Sequence, residues 1–236
     1  MKIGLAQYKF INNDISFNIS QIEKAIINSS GRVDLLCFGE TFLQGFDSLS
    51  WDYKKDKDIA VSQDSLEIQR ICQLSKDYNI AIAFGYFELD AKNIYSSYAF
   101  ISDGILIHNY RRVSKGWKEF TKTDHHYKEG ETIELFSFKG HEFEIALCGD
   151  LFDLNFERFK TDAIVLWPVY VNYSLKQWIK EEKEYAIQAG KISNRVLMIN
   201  SLSDDPISCG GAFYFKDGAI QSKLSYEAED ILIVEL

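Results

Sequence analysis

The feature that most constrains the fold is an alternation. Short apolar runs with the look of buried strands take turns with amphipathic helical stretches, and two Asp-Gly pairs punctuate the series. Residues 2–8 read as a strand. Residues 16–30 read as a helix with Ile19, Ile22 and Ile26 on one face, closed by Gly31. Val33-Asp34-Leu35-Leu36-Cys37-Phe38 is a short, mostly apolar run, the pattern of a strand covered on both faces. A helix over 63–78 leads into a second such strand, Ile80 to Phe87. The strands 95–102 and 105–110 flank Asp103-Gly104, a type I′ hairpin signal.

The series then repeats. Strands are expected at 143–147 and 163–167, a helix at 174–194 and a strand at 196–201. A hairpin over 211–224 turns at Asp217-Gly218, and 231–236 forms a last strand. Strand–helix alternation followed by hairpins predicts a mixed sheet covered by helices. There are only two prolines, Pro168 and Pro206, and no Gly/Ser linker, so residues 1–236 read as one domain.

Composition narrows the partners. The formal charge is -9 and no stretch is dense in lysine or arginine, which argues against nucleic acid or an anionic membrane surface. No apolar run approaches the roughly 18 residues of a membrane span. The chain enters a strand pattern at once, without a charged leader. Its four cysteines (Cys37, Cys72, Cys148, Cys209) form no CxxC pair. These features lead us to expect a cytoplasmic protein.

Two strand ends carry chemistry. Glu40 follows Leu35-Leu36-Cys37-Phe38-Gly39, at the carboxyl end of a buried strand, where α/β sheets build their sites. Partial burial there raises a carboxyl toward the range of a general base. Cys148 follows Phe143-Glu144-Ile145-Ala146-Leu147 and precedes Gly149-Asp150. A nucleophile followed by glycine resembles a strand-to-helix elbow, in which backbone N–H groups approach a developing oxyanion. The other three cysteines lack a strand-end glycine–acid pair and read as buried structural thiols. After the first hairpin, Tyr110-Arg111-Arg112-Val113-Ser114-Lys115-Gly116-Trp117-Lys118 is basic within an acidic chain, and a cation from it can hold an oxyanion or a thiolate. Asp124, His125 and His126 adjoin one another, but no further ligand lies at metal-site spacing, so no metal is expected.

Taken in order, these segments resemble the nitrilase, or carbon–nitrogen hydrolase, superfamily. The resemblance rests on Lys2 to Gln7, on Gly39-Glu40-Thr41-Phe42-Leu43-Gln44-Gly45-Phe46 and on the basic segment after the hairpin. It continues through Ala146-Leu147-Cys148-Gly149-Asp150-Leu151-Phe152, Asn155-Phe156-Glu157-Arg158, Asp162 to Val165, Val196 to Asn200, and Gly210-Gly211-Ala212-Phe213 with Asp217-Gly218. It implies a four-layer αββα sandwich, a homodimer and a Glu-Lys-Cys triad that hydrolyses an amide, nitrile or N-carbamoyl bond of a small molecule through a cysteine thioester, without a cofactor. Glu40 and Cys148 carry over directly. The family's lysine directly follows a Tyr-Arg or similar pair, and here that register holds Arg112, with Lys115 and Lys118 further on. Chain geometry favours Lys115, because Gly116 lets the chain fold back; Lys118 and Arg112 are the alternates. Arg112 is expected to pair with a carboxylate such as Asp150. Glu119 and Asp124 are the candidates for a supporting acid. The rival readings are a non-catalytic binding protein on the same fold, and an amidase subunit that delivers ammonia to a partner synthetase.

Overall fold

A computed structural model describes residues 1–236. Its first half places β1 (Lys2–Gln7), α1 (Ile15–Ser29), β2 (Leu35–Cys37), a short α2 (Tyr53–Asp56), α3 (Leu66–Asp77), β3 (Ala81–Asp90), β4 (Asn93–Ser102) and β5 (Ile105–Arg111). The second half places β6 (Phe136–Phe138), β7 (His141–Ile145), β8 (Ile164–Val169), α4 (Leu175–Ile192), β9 (Arg195–Asp204), β10 (Ile207–Lys216), β11 (Ala219–Lys223) and β12 (Asp230–Glu235). The strands form two six-stranded sheets, ordered β12-β1-β2-β3-β4-β5 and β11-β10-β9-β8-β7-β6. Each has a parallel centre, β1-β2-β3 in one and β7-β8-β9 in the other, with antiparallel neighbours outside.

Strand alternation explains the layers. Ile3, Leu5, Leu35, Cys37 and Phe100 of the first sheet join Phe143, Ile145, Leu166, Leu197 and Ile199 of the second in one core. The opposite faces meet helices. Ala6, Leu36, Ile82 and Phe84 pack with Ile19, Ile22 and Ile26 of α1 and Ile68 and Ile71 of α3. The second sheet packs against Trp178, Tyr185, Ala189 and Ile192 of α4. Each fully buried side chain of this size contributes about 1.5–3 kcal/mol over leaving it in water. The result is the expected αββα sandwich.

Local chemistry starts the helices where it should. The Asp14 carboxylate accepts from Phe17 N at 2.9 Å at the start of α1. Ser174 and Gln177 form a reciprocal capping box on α4. Asp103-Gly104 and Asp217-Gly218 both hold two successive positive φ angles (52° and 77°, then 51° and 76°), as a type I′ turn requires. Four features differ from the sequence reading. The short α2 forms where no element was expected. β6 forms as a short edge strand. β3 and β4 close on each other through Ala91-Lys92. β10 starts at Ile207, so it pairs with β9 across Asp205-Pro206.

Candidate active site

The parallel centres of the two sheets end at the same place. Beyond β2, the Phe38 amide still donates to Ala83 O at 2.8 Å, but the Glu40 amide donates across to Val169 O of the second sheet at 3.3 Å. Gly39 makes this approach feasible, since a Cβ there would lie 2.4 Å from Ser201 Oγ. Glu40 is thereby held at the seam between the sheets, fully buried.

Its carboxylate is engaged on both oxygens. Oε1 accepts from Arg112 Nη1 at 2.8 Å, with Ser96 Oγ at 3.5 Å, and Oε2 accepts from the Tyr170 amide at 3.3 Å. The Cys148 thiol donates to Tyr170 O at 3.9 Å, on the residue whose amide holds Oε2, and lies near enough to influence the carboxyl. Burial pushes Glu40 above the usual carboxylate range, against the pull of Arg112 and of the nearby Cys148 thiol.

Arg112 extends the β4–β5 ladder by one step, its amide donating to Ser96 O at 2.9 Å. That fixes the side chain against Glu40 rather than in solvent, and Arg112 is only 3% exposed. Nε donates to Ser114 Oγ at 2.8 Å. Burial alone would lower its pKa, but Glu40, Cys148 and Asp150 together raise it, so the guanidinium stays charged.

Cys148 opens a 3-10 turn, Cys148–Phe152, and takes a φ of +45°, in the left-handed region that L side chains rarely adopt. The backbone around it is pinned. The Trp167 indole N–H donates to Cys148 O at 2.9 Å. The buried Asp150 carboxylate accepts from the Leu147 amide at 2.9 Å, the Ser114 amide at 2.7 Å and Tyr110 Oη at 2.6 Å. Asp150 thus ties the cysteine turn to the end of β5. Its partners are these three donors, and Arg112, expected to pair with it, pairs with Glu40. Burial, then Glu40, push the Cys148 thiol well above its usual pKa, with Arg112 opposing. Cys37 and Cys209 are buried as expected, whereas Cys72 on α3, expected to be buried as well, is partly exposed like Cys148. Tyr185 of α4 stacks on Trp167, ring centroids 5.3 Å apart, and with Tyr173 and Trp178 makes an aromatic row beside the cysteine turn.

The structure therefore gathers Glu40, Arg112 and Cys148 and leaves the two lysines out. Lys115 is exposed and makes no ion pair. Lys118 is committed elsewhere, to Glu129 at 2.7 Å and Tyr127 O at 2.6 Å. The strand end lies directly opposite Glu40, so no fold-back at Gly116 is needed to deliver a cation. Glu119 is exposed, and Asp124 binds His126 Nδ1 at 2.9 Å; neither joins the site. Ligand atoms of Asp124, His125 and His126 lie within 4.8 Å of one another on a turn away from these residues. The sequence reading missed Tyr110, Ser114 and Trp167. Their only signal is position, each standing within three residues of a strand end that meets the site.

Comparison with known proteins agrees with this architecture. An amidase of Nesterenkonia sp., in a glutamate-to-glutamine variant with the acetamide moiety of fluoroacetamide added covalently at its active site cysteine, superposes with a TM-score of 0.82. It shares 17% identity, over 100% of this chain and 90% of that one. A CN-hydrolase superfamily protein of Xanthomonas campestris with an arsenic adduct in its active site gives 0.80 at 18% identity, over 99% and 89%. The glutamine-dependent NAD+ synthetase of Acinetobacter baumannii gives 0.80 at 20% identity, over 98% of this chain but 44% of that one. In sequence, an (R)-stereoselective amidase of Pseudomonas sp. is 24% identical over 151 residues, 64% of this chain and 52% of that protein, so the match spans about half the relative's length. The family model for carbon-nitrogen hydrolases matches residues 2–236, and the chain belongs to that family.

Proposed function

We propose that the protein is an amidase-type hydrolase that cleaves a non-peptide carbon–nitrogen bond of a small molecule through a thioester on Cys148. The observation that carries this reading is the buried Glu40 carboxylate, held by the Arg112 guanidinium at 2.8 Å and by the amide of Tyr170, whose carbonyl accepts from the Cys148 thiol.

The residues divide the work as their chemistry allows. With both Glu40 and Cys148 raised by burial, the thiol keeps its proton until substrate arrives. As sulfur attacks the carbonyl carbon, Glu40 takes that proton. Charge builds on the carbonyl oxygen. Arg112 Nη2, which has no protein acceptor, and a backbone N–H of the turn after Cys148 are available to it. Glu40 then protonates the leaving nitrogen, the carbon–nitrogen bond breaks and the amine departs. Water, deprotonated by Glu40, attacks the thioester; the acid leaves and the thiol regains its proton. Tyr173, Trp178 and Tyr185 supply an apolar wall for the acyl group.

The test is release of ammonia or amine from a panel of amides, nitriles and N-carbamoyl compounds by wild type and Cys148→Ala. Turnover by wild type alone supports the proposal, and equal rates refute it. A protein that turns over nothing, and whose Cys148 reacts with iodoacetamide no faster than Cys37, Cys72 or Cys209, is instead a binding protein on the same fold.

A further inference from the structure

Arg112 fits beside Cys148 because of what residue 149 lacks. A Cβ built on Gly149 would stand 2.5 Å from Arg112 Nη2, closer than real side chains come, with Arg112 Cζ and Ser114 Oγ both at 3.6 Å. A Cβ on Gly116 would also lie close to the same nitrogen, at 3.3 Å. The guanidinium has nowhere to retreat. Nη1 is fixed on Glu40, Nε on Ser114 Oγ, and the backbone N–H on Ser96 O. Backbone conformation does not account for the glycine, because the positive φ of this turn falls on Cys148 and Gly149 has none.

We propose that Gly149 is a positioning residue for Arg112: the space left by its missing side chain holds the guanidinium beside the thiol, so that residues 112 and 149 form a size-matched pair. A methyl group at 149 pushes Nη2 aside and breaks the Nη1–Glu40 contact with it, because the fork is rigid and planar. A lysine at 112 presents a single ammonium on a flexible stem and does not need the space. The inference rests on the reading in which Arg112 is the cation of the thiol chemistry.

The experiment measures alkylation of Cys148 by iodoacetamide, located by peptide mapping, across neutral to alkaline pH. The proteins are wild type, Gly149→Ala, Arg112→Lys, Arg112→Lys/Gly149→Ala and Arg112→Gln. Gly149→Ala should slow labelling about tenfold or more and shift its pH profile upward, as loss of a cation beside a thiolate does. The double variant should label about as fast as Arg112→Lys alone, so that the cost of the methyl group disappears when the fork does. A Gly149→Ala protein that folds only with lysine at 112 also supports the pairing. Labelling of Gly149→Ala at the wild-type rate overturns it, and so does a double variant that is as slow as Gly149→Ala or unfolded. If Arg112→Gln labels normally, the cation reading itself fails. If Arg112→Gln is slow while Gly149→Ala is normal, only the pairing fails.

Discussion

The indole nitrogen of Trp167, from β8, donates to the carbonyl oxygen of Cys148 at 2.9 Å. This bond links the centre of the second sheet to the one residue of the cysteine turn with a strained backbone. Trp167→Phe keeps the ring but removes the donor, leaving a carbonyl to find another partner. The expected cost is about 1–3 kcal/mol of stability, the scale of an unsatisfied buried group. A relaxed Cys148 should also alkylate several-fold more slowly at neutral pH. Thermal unfolding and iodoacetamide kinetics on one preparation check both; a variant unchanged in both would make the contact incidental.

Asp150 faces three donors, and that arrangement predicts a severe effect from a conservative change. Oδ1 accepts from the Ser114 amide and Oδ2 from both Leu147 N and Tyr110 Oη. Asp150→Asn sets an NH2 group against at least one of these N–H or O–H groups. We expect a loss of roughly 2–4 kcal/mol, between the cost of an unsatisfied buried donor and that of a broken buried charge network. Tyr110→Phe removes only the hydroxyl and should cost about 1 kcal/mol. Denaturant titration that ranks the two in the opposite order would contradict this description.

Much of the candidate site is legible in the sequence. Glu40 and Cys148 stand at the ends of apolar runs whose parallel pairing puts them at one seam. Which basic side chain reaches Glu40 was not legible, because that depends on how far the β4–β5 ladder runs. One added bond, Arg112 N to Ser96 O, keeps residue 112 in strand register and leaves Lys115 outside. The β3–β4 turn was hidden for a related reason. Ala91 takes a φ of +53°, a conformation no propensity assigns to alanine, and the long antiparallel pairing from Ile82 to Asp90 imposes it.

Glu144 predicts a pH dependence of stability. It lies on β7, buried, with Oε1 lacking any partner, and burial pushes its carboxyl up to about 7 from 4.5. The native state therefore holds a proton that the unfolded chain releases between these values. Native protein binds more protons in that window, so stability falls as pH rises from about 4.5 to 7 and stays reduced above it. Allowing for solvent screening, the penalty is about 1–2 kcal/mol. Glu144→Gln should be the more stable protein at pH 8 and lose the advantage near pH 4.5. Unfolding curves that stay parallel across this range would rule the effect out.

Association is open to measurement as well. Phe152 ends the cysteine turn and Leu154 follows it, and Ile179 and Ile187 stand on the outer side of α4; all four are exposed, Leu154 at 98%. Apolar side chains left this open on neighbouring elements are expected to be covered by a partner, and a second copy of the chain is the proposal here. Light scattering should give twice the 27.2 kDa chain mass at micromolar concentration. Ile179→Glu should return the monomer, and a wild type already monomeric would remove the proposal.

The choice of cation gives the sharpest kinetic prediction. Arg112 touches Glu40 at 2.8 Å and is buried, whereas Lys115 is exposed and Lys118 is held by Glu129. A group that stabilises a developing oxyanion acts mainly in the transition state, so its removal lowers kcat more than it raises KM. Arg112→Met should therefore lose about 3–4 kcal/mol of transition-state stabilisation, the scale of a deleted oxyanion donor. It also strips Glu40 of its counter-charge, so Glu40 should hold its proton to higher pH and the acid limb of the rate profile should move upward. Lys115→Met removes an exposed charge and should turn over at nearly the wild-type rate with an unshifted profile. Lys118→Met breaks a contact with the loop around Tyr127 and should cost stability before it costs rate. The rate profile separates a chemical role from a structural one, since a merely loosened fold lowers the amount of active enzyme without moving its pH dependence. If Lys115→Met proves the crippled variant and Arg112→Met does not, the ammonium must reach the thiol by a movement of the segment after β5 that only substrate induces.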